Sequence, residues 1–379
     1  MGPRKAAEIF YAKHPDAARY EVTLYGSLAA TGHGHMTDMA IMDTIPGIQI
    51  LWEPHTFLDF HPNGMEFRAY DADGKETGKW LIYSVGGGAL GAPDYTEPNT
   101  PDIYDMYTLL DIMHYCEFEG KGYWEYVEDC EGKEIWDYLR TVWRTMVEAV
   151  ERGLDAEGVL PGPLHLRRKA NMYYVKASGY KDNIRSRGLV FAYALAVAEE
   201  NAGGGKIVTA PTCGSCGVMP GVLYHLWKSR NFSEKRILHA LATAGLVGDI
   251  VKRNASISGA EVGCQGEVGV ACAMASAAAT QLFGGSVAQI EYAAEMGLEH
   301  HLGMTCDPVC GLVQIPCIER NAYAAARALD ANLYSSFTDG SHRVSFDKVV
   351  EVMKQTGHDL PSLYKETGEG GLARDFHQM

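Results

Sequence analysis

The chain has 379 residues, 46% of them hydrophobic and 21% charged, values typical of a soluble globular protein with a large core. Its formal charge of −15 argues against nucleic acid and anionic membranes as partners, because both select basic surfaces. No apolar run reaches the ~20 residues that a membrane helix needs, and the N-terminus lacks a signal-peptide pattern. Nine cysteines, an odd number without an export signal, fit a reducing cytoplasm and indicate metal or redox chemistry rather than disulfides.

The first 85 residues predict a small α+β domain. Residues 6–14 have helical spacing, and residues 20–28 alternate in the way of a strand. Residues 58–85 are expected to form three strands joined by the turns HPNG and DADG. Residues 86–102 are rich in Gly, Pro, Asn and Asp, which predicts a linker.

From residue 103 to residue 379 the pattern predicts a large, mostly helical domain. Apolar residues recur at intervals of three or four over 132–152, which predicts an amphipathic helix. Residues 268–285 are Ala-rich and apolar on every side, as in a helix packed closely by its neighbours. A further helix is predicted over 345–357. The fold class is therefore α+β, with a small N-terminal α+β domain joined to a large, mostly all-α catalytic domain.

Three cysteines share a setting that is unusual for packing residues. Cys264 lies in VGCQGE, Cys306 in MTCDPVCG and Cys317 in QIPCIERN, each beside Gly, Pro or Asp near the end of a predicted helix. Their wide spacing is not the compact C-x₂-C of zinc ribbons or ferredoxins, so two of them could equally be core residues. Gly263 and Gly266 are expected to let a bulky group approach the sulfur of Cys264.

The other cysteines offer a competing interpretation. Cys213 and Cys216 form a C-x-x-C pair at the start of a predicted helix, which is the context of a thiol–disulfide redox site. The alternative is that small residues here leave room for a ligand. Cys310 is either a fourth thiol near the site or a neutral residue, and we favour the latter. The remaining three are expected to lie in helices as structural residues: Cys116, Cys130 and Cys272.

Several long segments resemble one family, the iron–sulfur-dependent L-serine dehydratases, or L-serine ammonia-lyases. They are NASISGAEVGCQGEVGVA, EHHLGMTCDPVCGLVQIPCIERNA, AEENAGGGKIVTAPTCGSCG and YKETGEGGLA, while LYGSLAATGHGHMTD and FHPNGMEF resemble motifs of the family's smaller domain. The resemblance covers most of the chain, and the segments occur in the same order.

The resemblance implies a [4Fe–4S] cluster held by Cys264, Cys306 and Cys317. Three thiolates leave one iron without a protein ligand, and such an iron can act as a Lewis acid on the hydroxyl of serine. The implied reaction is β-elimination of water from L-serine, giving pyruvate and ammonia without pyridoxal phosphate. A role in amino-acid degradation and gluconeogenesis follows from that reaction.

Two histidines and a threonine are the implied catalytic and substrate-binding residues. His35 in TGHGHMTD matches the family histidine expected to act as the base, and histidine is suited to that role near neutral pH. His61 in FHPNGM matches a second functional histidine, which positions the substrate or protects the cluster. Thr212 is expected to hydrogen-bond the substrate, although a helix N-cap is an equally good interpretation. The basic stretch 165–187 either attracts a carboxylate substrate or forms a solvated face or subunit contact.

The chain also departs from the family pattern. A Ser-Ser-Ser-His-Thr segment that is expected to bind the substrate carboxylate precedes a Gly-Pro in the family, and here that dipeptide is Gly2-Pro3. The stretch between His35 and His61 is shorter than in many relatives, and the chain ends in Met379 rather than a cysteine. Cys213 stands where many relatives have Asn.

These departures leave several functions open beside the active L-serine dehydratase. One alternative is a cluster-binding subunit that is inactive or needs a partner, and another is a related enzyme acting on threonine or cysteine. A weaker alternative is a thiol redox protein using Cys213 and Cys216. In each case we expect a small-molecule amino acid or thiol partner rather than nucleic acid or membrane, and a homodimer or higher homo-oligomer.

Overall fold

The computed structural model describes residues 1–95, 102–374 and 376, which form a small mixed sheet with three helices followed by a large helical assembly. The predicted α+β class is confirmed. The helices of the first part are α1 (Gly2–Lys13), α2 (Gly26–Ala30) and α3 (Thr37–Met42). The strands are β1 (Arg19–Tyr25), β2 (Gln49–Glu53), β3 (Gly64–Tyr70), β4 (Glu76–Ser84) and β5 (Leu90–Gly91).

The sheet has the spatial order β2-β1-β3-β4-β5. Strands β1 and β2 are parallel, whereas the other neighbours are antiparallel. The helix α1 covers one face, where Phe10 lies 5.4 Å from Phe67 between ring centroids. Val22 and Leu24 of β1 are fully buried in the same cluster, as their alternation in the sequence predicts.

The prediction of three strands over residues 58–85 is wrong in one respect. Only β3 and β4 form there, joined by a turn in which Asp71 Oδ1 accepts hydrogen bonds from the amides of Asp73 and Lys75. Residues 58–60 do not form a strand. The strand that the prediction omitted is β2, which lies before this segment at the edge of the sheet. Its side chains are only partly buried, so it lacks the apolar alternation by which strands are recognised.

The second part is built almost entirely of helices. Their bounds are α4 (Leu109–Glu119), α5 (Tyr123–Glu131), α6 (Ile135–Asp155), α7 (Ala170–Ser178), α8 (Asp182–Ala202), α9 (Val218–Arg230), α10 (Glu234–Asn254), α11 (Gly259–Val262), α12 (Val270–Leu282), α13 (Val287–Glu299), α14 (Cys317–Ser336) and α15 (Phe346–Asp359). The predicted Ala-rich helix is α12, which packs against α10, α13 and α14. A Cβ on Gly297 would lie only 2.7 Å from the Cα of Ala273, so small residues allow this close packing.

Two other predicted helices are confirmed with small shifts of their ends. The amphipathic helix predicted over 132–152 is α6, and its apolar stripe is buried at Trp143 and Met146. The helix predicted over 345–357 is α15, where the Oγ of Ser345 accepts a hydrogen bond from the amide of Lys348 as an N-cap does.

The buried hydrophobic residues form two separate clusters. One contains residues between Ala6 and Leu90, and the other contains residues between Leu109 and Met353. A division of the chain into residues 1–85, 86–102 and 103–379 is compatible with these clusters and stays a prediction; residues 96–101 of the linker lie outside the described residues. Within the described chain, no helix has the length and apolar character needed to cross a bilayer.

Candidate active site

A cavity of about 400 Å³ opens between the loops of the small sheet and the helical part. Among the polar side chains on its wall are several from distant parts of the sequence: His35, Thr212, Cys213, Glu267 and Glu366. The glycines at 86–88 and at 204–205, followed by Lys206, also line it. The cavity therefore gathers two of the three residues predicted to touch substrate, His35 and Thr212.

The loop that carries His35 is fixed by a close crossing of two backbones. A Cβ on Gly34 would collide with the carbonyl oxygen of Gly311, and a Cβ on Gly311 would meet that of Ala30. Gly311 also has a φ of +66°, which favours glycine. The helical part thus holds the position of the His35 loop.

Hydrogen bonds fix which nitrogen of His35 is free. Thr31 Oγ1 lies 2.9 Å from the carbonyl oxygen of Ser27, to which it donates its only proton. The same hydroxyl lies 3.1 Å from His35 Nδ1, so Nδ1–H must be the donor of that second bond. In neutral His35 the lone pair is therefore on Nε2, which lies 4.0 Å from Glu366 Oε1. A nitrogen in this state can accept a proton.

Two carboxyl groups of the same cavity wall, those of Glu267 and Glu366, lie beside one buried thiol. Glu267, Cys306 and Glu366 are buried, and one ligand atom from each lies within 4.8 Å of the others. Burial, with the charge of Glu267, raises the pKa of Glu366 to about 8. The backbone places Glu366 here, because its amide donates to the carbonyl oxygen of Cys306 and the amide of Cys306 donates to that of Tyr364.

The structure brings the three predicted ligand cysteines together. Cys264, Cys306 and Cys317 are all buried, and all three thiols lie near enough to Arg320 to raise the pKa of its guanidinium. The neighbouring thiol of Cys306, together with Arg320, lowers the pKa of Cys264. Burial raises the pKa of Cys317, so an apolar surrounding opposes a free thiolate there.

This donor set fits an iron–sulfur cluster in its chemistry. Three thiols with no disulfide lie beside one half-buried cation, and thiolates are the ligands that iron–sulfur clusters take. Gly259 borders the set, where a Cβ would lie 2.7 Å from Glu267 Oε2 and 3.2 Å from Cys306 Sγ. A side chain at residue 259 would therefore collide with the carboxylate of Glu267 next to the sulfur.

The two glycines beside Cys264 have a different role from the one predicted. A Cβ on Gly263, whose φ is +76°, would lie 2.6 Å from the carbonyl oxygen of Met304. A Cβ on Gly266 would collide with the side chain of Val262. These glycines allow the chain to pack against itself around Cys264, and Gly259 likewise allows its backbone to lie close to Glu267 and Cys306.

Thr212 precedes a short 3₁₀ turn but does not cap it. Its Oγ1 donates to Glu267 Oε1 at 2.6 Å, and no cap hydrogen bond is present. The hydroxyl thus connects the cavity wall to the acid that lies 3.8 Å from Cys306 Sγ. The N-cap interpretation is wrong, and contact with substrate stays a prediction.

His61 lies outside the cavity that contains His35. Its Nδ1 accepts a hydrogen bond from the amide of Asn63, and its Nε2 lies 3.6 Å from Glu261 Oε2. Glu261 belongs to α11, the short helix that ends just before Cys264. The placement of His61 therefore favours a role in positioning this helix over direct contact with substrate.

The other cysteines are separate from the three-cysteine set. Cys213 lines the cavity, while the Sγ of Cys216 is buried and donates to the carbonyl oxygen of Val197 at 3.8 Å. Burial raises the pKa of Cys213 to about 11 and that of Cys216 still further, which disfavours the thiolate a redox pair needs. Cys272 is buried in α12 as predicted.

Sequence reasoning missed three charged residues of the site, although two of them carried a signal. Glu267 follows Cys264 by three residues, and Arg320 follows Cys317 by three residues in α14. Side chains three apart on a helix share a face, so these two residues could have been added to the site by spacing. Glu366 lies in YKETGEGG, where nothing in the sequence indicates its neighbours.

The basic stretch 165–187 does not line the cavity. Arg168 pairs with Glu200 at 3.0 Å, and Lys169 pairs with Glu319 at 2.7 Å. Arg187 at the end of the stretch pairs with Asp330. Cations held in ion pairs on the helical part favour a structural role over attraction of substrate.

Comparison with known proteins agrees with the geometry. The family profile described as "Serine dehydratase alpha chain" matches residues 49–373, and the profile described as "Serine dehydratase beta chain" matches residues 1–50. The L-serine dehydratase of Streptomyces coelicolor is 40% identical, with 98% of this chain and 94% of the relative covered. L-serine dehydratase 1 of Escherichia coli is 39% identical, and the L-serine dehydratase of Haemophilus influenzae is 38% identical, both with the same coverage of each chain.

These alignments are longer than the chain itself. The alignment with the Streptomyces coelicolor protein spans 429 positions, whereas this chain has 379 residues. The relative therefore has internal segments that have no counterpart here. A longer relative agrees with the prediction that the stretch between His35 and His61 is shortened in this chain. That the unmatched segments fall in this stretch stays a prediction.

Proposed function

The chain belongs to the serine dehydratase family, and on that basis we propose that it deaminates L-serine to pyruvate and ammonia. One observation carries the proposal: the free Nε2 of His35 opens into a single cavity whose wall also contains Glu267 and Glu366, the buried acids that lie beside Cys306. A base and a metal-binding wall at one cavity are what the elimination of water from a hydroxy amino acid requires.

We assign the cluster ligands to Cys264, Cys306 and Cys317. A bound [4Fe–4S] cluster with one iron free of protein ligands would supply a Lewis acid at this wall of the cavity. The protein contributes a buried set of thiols, and the positive charge of Arg320 opposes the effect of burial on the pKa values of Cys264 and Cys317. Glu267 connects this set to the substrate side through Thr212.

His35 removes the proton from the α-carbon of serine in this mechanism. The bond between the α-carbon and hydrogen breaks toward Nε2, a carbon–carbon double bond forms, and the β-hydroxyl group leaves as water once protonated. The resulting 2-aminoacrylate tautomerises to an imine, and water hydrolyses the imine to pyruvate and ammonia. Thr31 holds Nδ1–H, so the lone pair of the neutral imidazole stays directed at the cavity.

Thr212 and His61 have different supporting roles in this proposal. Thr212 lies on the cavity wall and is assigned to the substrate, which its hydroxyl can reach without leaving Glu267. His61 positions α11 through Glu261 and thereby the segment that carries Cys264. A serine side chain is small for a cavity of about 400 Å³, so threonine is a second candidate substrate.

We also propose a homo-oligomer in the cytoplasm. Large apolar side chains are exposed on α7 and at the start of α8, where Val175 is 62% exposed and Ile184 is 64% exposed. Such a surface is typical of an interface between proteins. All nine cysteines are free thiols, which supports a reducing compartment.

The test measures pyruvate formed from L-serine after anaerobic reconstitution with iron and sulfide. We compare the natural sequence with Cys317→Ser and with the matched control Cys116→Ser, a buried cysteine of α4. The natural sequence and the control should bind about four iron atoms per chain and form pyruvate, and Cys317→Ser should lose most of both. Full iron in Cys317→Ser would refute the ligand assignment, and a fully loaded natural chain that forms no pyruvate would refute the reaction.

A further inference from the structure

A second cavity of about 590 Å³ lies between α13, α14 and the loop that follows α14. None of the residues assigned above to the cluster or the substrate lines it. Its wall has an apolar part formed by Tyr292, Met296, Ala331, Tyr334 and Val344, and a charged part formed by acids and arginines. A cavity of this kind has room for a small molecule with an apolar body and polar ends.

Most acids at this cavity have partners within the protein. Asp330 pairs with Arg187 at 2.9 Å, and Glu299 lies 3.7 Å from His300. Glu291, buried behind the wall, lies 2.9 Å from Nε2 of His342, which itself lines the cavity. Each of these acids thus has a nitrogen of the protein nearby, although Glu291 Oε2 and His342 Nε2 are not aligned for a hydrogen bond.

Glu295 is the exception. The residue is only 3% exposed and lines the cavity, yet within the described chain its carboxyl group has neither a hydrogen bond nor an ion pair. Burial, followed by the charges of Glu299 and Glu291, raises the pKa of Glu295 to about 8. A buried carboxyl group without a partner is costly, and a ligand cation would relieve that cost.

Another part of the wall is basic and also unpaired. Arg327 and Arg343 line the cavity, and neither forms an ion pair with any residue that the structure describes. Arg327 lies near His301, whose pKa its charge helps to lower together with burial. His301 donates from Nδ1 to the carbonyl oxygen of Gly297 at 2.7 Å, so the guanidinium of Arg327 remains available to an anion.

We propose that this cavity binds a small aminocarboxylate, with its ammonium group on Glu295 and its carboxylate on Arg327. The apolar chain of the ligand would lie against Tyr292 and Met296. Each contact gives a side chain that has no ion-pair partner in the protein a ligand group of opposite sign, and an ammonium group at Glu295 favours the ionised carboxylate. The apolar wall accommodates the methylene groups between the two ends. This inference does not depend on the reaction proposed for the first cavity.

Isothermal titration calorimetry with three probes of one chain length tests the proposal. The probes are 6-aminohexanoate, hexylamine, which lacks the carboxylate, and hexanoate, which lacks the ammonium group. None has a β-hydroxyl group, so none can undergo the elimination. We expect 6-aminohexanoate to bind at least about tenfold more tightly than either of the others, as charge-assisted hydrogen bonds at both ends require. Equal binding of all three probes would overturn the proposal. So would the absence of binding by 6-aminohexanoate at about 10 mM, which is roughly tenfold above a Kd of ~1 mM.

Three substitutions then locate the two contacts. Glu295→Gln should weaken 6-aminohexanoate about tenfold or more, whereas the control Glu299→Gln, which removes a rim charge of the same cavity, should leave its Kd within about twofold. Arg327→Gln should weaken 6-aminohexanoate but leave hexylamine unchanged. Thermal unfolding of each variant verifies that it is folded. Unchanged binding in both Glu295→Gln and Arg327→Gln would place the probe elsewhere and refute the site.

Discussion

A single hydroxyl group, that of Thr31, decides which nitrogen of His35 is basic. Because its proton is donated to the carbonyl oxygen of Ser27, it can only accept from His35 Nδ1. The sequence identifies His35 through the glycines around it, but not Thr31, since the pairing depends on the turn between them. The tautomer of the histidine that we propose as the base is thus set four residues away in the chain.

Replacing Thr31 with Val should lower kcat for pyruvate formation about tenfold while KM changes little. Valine has nearly the same shape but cannot accept from Nδ1–H, so part of the His35 population carries its proton on Nε2, the wrong nitrogen. Thr31→Ser keeps the hydroxyl and is the matched control. Nitrogen-15 NMR of the imidazole reports the tautomer directly, and a Val variant with natural kcat and an unchanged spectrum would show that Thr31 has no such role.

Among the helices, α8 and α9 are joined by a buried polar contact that no pattern in the sequence indicates. His225 of α9 is 5% exposed, and its Nε2 lies 2.9 Å from the Oγ of Ser186 in α8. Burial, with a smaller effect of the charge of Arg230, lowers the pKa of His225 to about 4. Helices such as α6 are predictable because their apolar stripe is local, whereas this contact depends on how two helices meet.

His225 should make the protein less stable in mild acid. The pKa of His225 is lower in the folded protein than in the unfolded chain, so the unfolded chain binds more protons between pH 6.5 and 4. The free energy of unfolding therefore falls as the pH drops through that window. His225→Gln keeps a partner for Ser186 but does not titrate. Between pH 7.5 and 5 the natural protein should lose about 2 kcal/mol of unfolding free energy more than the variant.

Urea unfolding of both proteins at the two pH values measures this difference. Other groups with raised pKa values, such as Asp249 at about 6 and Glu295 at about 8, titrate in both proteins and cancel in the comparison. Equal loss of stability in the two proteins would mean that His225 is protonated in the folded state.

For the molecule as a whole, the site depends on contacts that join the beginning, middle and end of the chain. Ser27 donates to the carbonyl oxygen of Lys365 at 3.1 Å, and Cys306 forms an isolated parallel bridge with Lys365. Motifs in the sequence indicated His35 and the three cysteines one by one. Their convergence, and the presence of Glu366 between them, followed only from the folded backbone.

The same limit applies to the glycines beside Cys264 and to His61. Gly263 and Gly266 were correctly marked as unusual, but a glycine that leaves space for a ligand and one that allows backbone packing look the same in a sequence. His61 lies beside Glu261 rather than in the cavity, because the residues after it turn back to begin β3. Spacing shows which residues are special, whereas their partners are a property of the fold.

The most direct test of the proposed active site is the kcat of His35→Gln for pyruvate formation from L-serine. The variant must be loaded to the same iron and sulfide content as the natural sequence, so that any difference comes from the base rather than from the cluster. Loss of a general base predicts a kcat at least about a hundredfold lower at equal loading. A kcat within about threefold of the natural value would contradict the assignment of His35 and, with it, the proposal that this cavity is the active site.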